Sequence, residues 1–178
     1  VKQSQLPGLP GEGTCRWPRA IFSPCERYRY FLAWPTGVDN DRPALGVFAN
    51  PSTADAQTTD RTIDRWIDYC RRWGFGWAWV CNVRAWRETD PDLVPPDPLA
   101  IGPDNDYHIA HWAAQAEIVV CGWGKLGGRR ASDVLAIIEC AGGKRPHALC
   151  RNQDGSPTHP LYLRADLRPV PMFGAPSP

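Results

Sequence analysis

Apolar residues recur along this chain with two alternating periods, and the alternation predicts its elements. Tyr28 to Trp34 alternates aromatic or apolar residues and stops at Pro35, which predicts a strand. Leu45-Gly46-Val47-Phe48-Ala49 is an unbroken apolar run ending at Asn50-Pro51, the pattern of a buried strand and its stop. The period then changes. Ile63, Trp66, Ile67, Cys70 and Trp73 fall on one helical face, with Asp60 as N-cap and Gly74 as C-cap. Trp77 to Cys81 predicts the next strand, ending at Asn82. A Pro-rich connection through Pro91, Pro95, Pro96 and Pro98 leads to a helix over 104–116, with Ile109, Trp112, Ala113 and Ala116 on one side. Glu117 to Cys121 predicts a strand closed by Gly122-Trp123-Gly124. A third helix carries Ala131, Val134, Leu135 and Ile138 inward and stops at Gly142-Gly143, before a shorter strand from Pro146 to Cys150.

Strand–helix–strand alternation with continuous apolar strands predicts an α/β fold: a three-layer α/β/α sandwich around a central, mainly parallel sheet. Ligands of such sheets bind in the crevice beyond the carboxyl ends of the strands. That rule directs attention to Asn50, Asn82, Gly122 to Lys125, and His159. Residues 1–14, with Pro7-Gly8 and Pro10-Gly11, read as an irregular lead-in, residues 15–168 as a single domain, and residues 169–178 as a tail.

Composition narrows the function classes. The 178 residues carry 20 Lys+Arg and 19 Asp+Glu, a net charge of +1, which excludes a polycation that coats nucleic acid indiscriminately but leaves room for a local basic patch. No apolar run reaches the roughly 20 residues that span a bilayer, and no signal core follows the N-terminus. The 7 cysteines include no Cys-x-x-Cys pair, so zinc-ribbon and thioredoxin motifs are absent. Reduced thiols in a cytoplasmic protein are the expectation. His108 and His111, three apart on a helix, lack a neighbouring acidic or Cys partner and are expected to be structural, so no metal and no cofactor are expected.

Taken singly, Asn50, Asn82 and His159 are ordinary turn residues; the topology would bring all three to one crevice. The motifs around them carry a resemblance. Asn50-Pro51-Ser52-Thr53-Ala54-Asp55, residues 102–106, and His159-Pro160-Leu161-Tyr162-Leu163 resemble an uncharacterised bacterial and phage family of unknown function, over residues 23–163. Ala49 to Ser52 after a strand, Val80 to Val83, Val119 to Gly124, and Thr158 to Leu163 also resemble the motifs of the uracil-DNA glycosylase superfamily. That second resemblance implies a glycosylase-like fold and hydrolysis of the N-glycosidic bond of a flipped, modified or deaminated base in DNA, with a pyrimidine as the expected target. It implies that Asn50 positions water, Asn82 hydrogen-bonds the base, and His159 stabilises the leaving anion.

The residue types suit that chemistry. A neutral imidazole can donate to the negative charge developing on a departing base. An amide cannot take a proton as a carboxylate does, so general-base assistance of ~10²–10⁴-fold is missing unless Asp55 or Asp60 supplies it. Leu161-Tyr162 stands where the superfamily has Ser-Pro, so Leu161 or Tyr162 is the expected wedge beside Pro160, and Ser52 or Ser156 the expected phosphate contact. Trp86 and Trp123 follow strand ends and are expected to stack on a base. Gly122 to Arg130 fails the Walker A pattern, because Val119 stands in place of its first Gly and Leu126 in place of Ser/Thr; Lys125, Arg129 and Arg130 remain candidate backbone contacts. The expected partner is DNA, single- or double-stranded. A non-catalytic module binding a modified base, or an N-glycosidase acting on free nucleosides, fits the same residues.

Overall fold

The computed structural model describes residues 19–173 except Thr53. Seven strands form one sheet: β1 (Ala20–Phe22), β2 (Arg29–Pro35), β3 (Pro43–Phe48), β4 (Trp77–Asn82), β5 (Ile118–Cys121), β6 (Pro146–Ala148) and β7 (Val170–Pro171), in the order β1-β2-β4-β3-β5-β6-β7. Three helices connect them: α1 (Arg61–Arg72), α2 (Asn105–Gln115) and α3 (Arg130–Cys140). The four inner strands β4, β3, β5 and β6 pair in parallel, whereas β1–β2, β2–β4 and β6–β7 pair antiparallel. The sheet is therefore mixed rather than mainly parallel. Apolar periodicity reports which face of a strand is buried and is silent on the direction of its neighbour.

Connectivity places the site. Strand β3 leads through α1 to β4 on one side; β4 then leads through α2 to β5 on the opposite side of β3. This reversal opens a crevice beyond the carboxyl ends of β3, β4 and β5. The helices lie on both faces. Ile63, Trp66, Tyr69 and Cys70 of α1 pack with Leu32, Phe48, Val80 and Val120. Ile109 and Trp112 of α2 and Val134 and Ile138 of α3 pack with Phe31, Val47, Trp79 and Val119.

Local chemistry explains the joints. Asp60 accepts the Ile63 backbone N–H at 2.9 Å and caps α1. Gly74 follows the cap residue Trp73 with φ +82, a left-handed conformation that glycine adopts without a Cβ clash. A Cβ on Gly46 would stand 2.6 Å from the Phe48 ring and 2.9 Å from the Trp66 ring, so glycine lets α1 settle onto β3. Trp66 is fully buried and donates its Nε1–H to Trp79 O at 2.9 Å, which satisfies its polar atom inside the core. Burial pushes the Cys81 and Cys121 thiols well up, so both act as small protonated hydrophobes.

At the C-terminus, Val170 and Pro171, read from the sequence as tail, pair with β6, and Met172 is buried against the core. Two flanking prolines hid a strand this short, because an edge strand tolerates missing N–H donors. Residues 1–14 and 174–178 lie outside the described residues.

Candidate functional site

Four segments meet at the carboxyl ends of the central strands: the loop after β3, the end of β4, the start of β2 and the turn at residues 159–162. Asn50, two residues beyond β3, is half-buried. Its Nδ2 donates to Glu88 O at 2.7 Å, which leaves Oδ1 as its accepting atom. Asn50 lines a cleft of about 270 Å³ walled by Pro95, Pro96 and Leu126, where Arg84 is held bidentate on Asp97 at 2.8 and 3.0 Å.

Ser52 lines a neighbouring cleft of about 290 Å³ with Trp86, Arg27, Arg87 and Glu88. Its hydroxyl donates to Asp60 Oδ2. Asp60 thus serves two purposes: one oxygen caps α1 and the other anchors the loop after β3. Trp86 is half-buried, edge-on to Tyr28 at 5.6 Å, with part of its indole facing this cleft.

Asn82 is only 2% exposed. Its Oδ1 accepts from Arg29 Nη2 at 3.1 Å, and its backbone carbonyl accepts from Asn105 Nδ2 at 2.9 Å. Arg29 is equally buried and donates from Nη1 to Ala54 O at 2.7 Å. Burial draws its pKa down to about 10, against the opposing pull of Asp60, so it remains a cation at neutral pH. Neither Asn82 nor His159 lines the two clefts described.

His159 is half-buried, with its ring 5.9 Å from that of Phe48. Burial lowers its pKa below the ordinary 6.5, and Asp60 pulls in the opposite direction. Its Nδ1 accepts the Leu161 backbone N–H at 3.4 Å. Pro160 is buried; a Cβ on Gly122 would stand 2.9 Å from its ring, so a bare Gly122 backbone seats this turn on the end of β5. Leu161 is half-buried, and Tyr162 is 82% exposed beside His159.

The remaining expected residues divide. Lys125 and Arg129 are exposed around a short 3₁₀ turn, Gly124–Gly127. Arg130, expected on a nucleic-acid backbone, is instead buried and ion-paired with Asp106 and Asp133. It starts α3 and joins it to α2. Trp123, expected to stack on a base, is 2% exposed within the core under α2 and α3. The chain folds back after β5, and Gly127 leaves room for the indole, since a Cβ there would come within 2.3 Å of it. The Ser156 hydroxyl donates to Asp154 at 2.6 Å and accepts from Asn152 at 2.9 Å within its own turn. The His108 ring stacks on Tyr30 at 4.8 Å and His111 on Tyr107 at 5.6 Å.

Sequence reasoning passed over Arg29, the buried cation of this site, and Asn105, the clamp on the end of β4. An arginine between two tyrosines in an otherwise apolar strand was the available signal, because a buried arginine needs acceptors brought to it.

The model of the family described as "Protein of unknown function (DUF1643)" matches residues 29–161. The chain belongs to this family. The matched span begins at Arg29 and ends in the turn after His159, so it contains Asn50, Asn82 and His159 but stops short of Tyr162. No curated protein and no solved structure matches the chain. No helix among the described residues is long and apolar enough to cross a membrane.

Proposed function

We propose that this DUF1643 protein is a DNA glycosylase-like hydrolase that acts on a flipped, modified or deaminated pyrimidine, on a fold akin to the α/β/α sandwich of the uracil-DNA glycosylase superfamily. One observation carries the reading: His159 sits half-buried with its Nδ1 accepting the Leu161 backbone N–H at 3.4 Å. Burial favours its neutral form, and Nδ1 already accepts the Leu161 N–H, so the single ring proton belongs on Nε2. A neutral imidazole presenting Nε2–H is the donor a departing base anion needs.

In this mechanism a water held by Asn50 Oδ1 attacks the sugar carbon from the face opposite the base. The electron pair of the C–N bond leaves with the base, whose developing oxyanion takes a hydrogen bond from His159. The water's proton passes to solvent or to the released base. Asp60, fixed by Ser52 and the α1 terminus, supplies a negative charge near the oxocarbenium-like sugar. With no carboxylate in the place of Asn50, turnover is slow. Tyr162, exposed next to His159, supports the extruded nucleotide.

The test is base release from single- and double-stranded oligonucleotides carrying uracil or modified pyrimidines, followed by alkaline cleavage at abasic sites. Product that disappears in both Asn50→Ala and His159→Ala, with folding retained, is the expected result. Tight binding without product would favour a non-catalytic base-binding module.

A further inference from the structure

Two arginines face each other in the cleft that Ser52 and Trp86 line. Beyond β4 the chain pairs with the lead-in to β2: Tyr28 and Trp86 form an antiparallel bridge, and the Arg87 backbone N–H donates to Arg27 O at 2.9 Å. This register sets Arg27 directly across from Arg87, and both line the same cleft of about 290 Å³. Like charges in a directly opposed cross-strand pair repel. The fold does not neutralise them, because neither arginine forms an ion pair among the described residues.

Arg87 is held in place beside its neighbour. Its guanidinium lies over the Phe22 ring at 4.8 Å, and its Nη1 donates to Glu26 O at 3.2 Å. Glu26 presents that carbonyl from a left-handed backbone with φ +58, a conformation uncommon outside glycine. A guanidinium fixed in this way, with donors to spare, is preorganised for an anion. The two carboxylates of the cleft do not take that place. Glu88 Oε1 accepts from the Thr89 and Asp90 backbone N–H groups at 2.8 and 3.1 Å within its own turn, and Glu26 is exposed. Trp86 adds a half-buried indole to the wall. The space lies at the small end of ligand clefts, which run roughly 300–1,000 Å³, so it suits one phosphorylated sugar and its ring.

We propose that the cleft between Arg27, Arg87 and Trp86 binds the terminal phosphate of a nucleotide, with both guanidinium groups on the phosphate and the indole against the attached nucleoside. A phosphomonoester carries about −1.5 to −2 charge at neutral pH, enough to pair with two arginines. A backbone diester carries a single charge and matches the pair less well. The same terminal group occurs on a free nucleoside monophosphate and on the 5′ end of a DNA strand. The inference makes no use of the roles given to Asn50, Asn82 and His159.

The experiment is isothermal titration calorimetry of the full chain with two pairs of probes, and thermal melting reports folding. One pair is thymidine 5′-monophosphate and thymidine; the other is a short single-stranded oligonucleotide with a 5′-phosphate or a 5′-hydroxyl. Wild type should bind the phosphorylated member of a pair roughly tenfold more tightly or better, the scale of one charge-assisted contact. That preference in the oligonucleotide pair alone assigns the site to strand ends, and in the nucleoside pair to free nucleotides; either result supports the inference. Arg27→Gln alters an exposed side chain, so it should melt like wild type while the preference falls to about twofold. It carries the test if Arg87→Gln fails to fold. Trp86→Leu should weaken thymidine monophosphate several-fold and leave inorganic phosphate binding unchanged. His159→Ala should keep the preference, which separates this cleft from the hydrolytic centre.

No preference for the phosphorylated member of either pair, or a preference undiminished in Arg27→Gln, overturns the inference and leaves the glycosylase-like reading to its own assay. Loss of the preference in His159→Ala also overturns it, because the phosphate would then sit at the hydrolytic centre.

Discussion

Asp60 joins the fold to the site, and two substitutions separate its roles. In Asp60→Ala the α1 N-cap, the Ser52 hydrogen bond and the negative charge are all lost. The cap is worth about 1 kcal/mol. The hydroxyl–carboxylate bond contributes about 1 kcal/mol more, at the low end for a charged acceptor because Asp60 is half-exposed. The charge opposite buried Arg29 adds roughly another 1 kcal/mol after solvent screening. A loss near 3 kcal/mol corresponds to roughly 6–12 °C in melting temperature for a domain of this size. Asp60→Asn behaves differently: its Oδ1 still caps Ile63, and its amide can donate to Ser52 Oγ. Only the charge is gone, so the loss is about 1 kcal/mol, or roughly 2–4 °C. Because Asp60 raises the His159 pKa, removing the charge in either variant moves the imidazole titration to lower pH. Thermal melts followed by circular dichroism, with His159 titrated by NMR, make both readings. Equal melting of the two variants together with an unmoved His159 titration would refute this division of roles.

The depressed His159 pKa sets a pH dependence of stability. The folded ring binds a proton less readily than the unfolded one, so this stability is complete above the unfolded value of 6.5 and is lost as pH falls through the lower folded value; His159→Gln should flatten that acid limb in pH-dependent denaturant melts. Trp123→Ala should cost about 3–5 kcal/mol, the scale of a buried Trp truncation, and a stability loss below about 1 kcal/mol in chemical denaturation would return the indole to the list of surface contacts. Tyr162→Ala should leave the melting temperature within a degree or two of wild type, since the ring is 82% exposed, while weakening oligonucleotide binding several-fold in anisotropy titrations.

Much of the fold was legible in the sequence because burial leaves a periodic trace. The spacing of Ile63, Trp66 and Cys70 together with Asp60 marked α1 and its cap, and the apolar runs marked β3, β4 and β5. Strand direction was not legible, since a half-buried strand has the same pattern whichever way its neighbour runs. Strands of two or three residues, β1 and β7, are too short to show a period.

At the site, the positions after strand ends were readable from turn chemistry, and Asn50, Asn82 and His159 do sit beyond or at the ends of strands. Their states were not readable. Whether Asn82 meets solvent or Arg29, and whether Trp123 points outward or under Gly127, depends on contacts between residues far apart in the chain. Arg130 shows the same limit: its charge suggested a surface role, but it is buried where Asp106 on another helix reaches it from the surface.

The most direct test of the account is the pH dependence of single-turnover base release from an oxo-pyrimidine oligonucleotide by the wild-type chain. The account predicts a rate that is constant near neutrality, falls on acidification as His159 gains its second proton, and has its midpoint shifted to lower pH in Asp60→Asn. No release with enzyme in excess, a rate that rises with acid, or undiminished release by His159→Ala would contradict it.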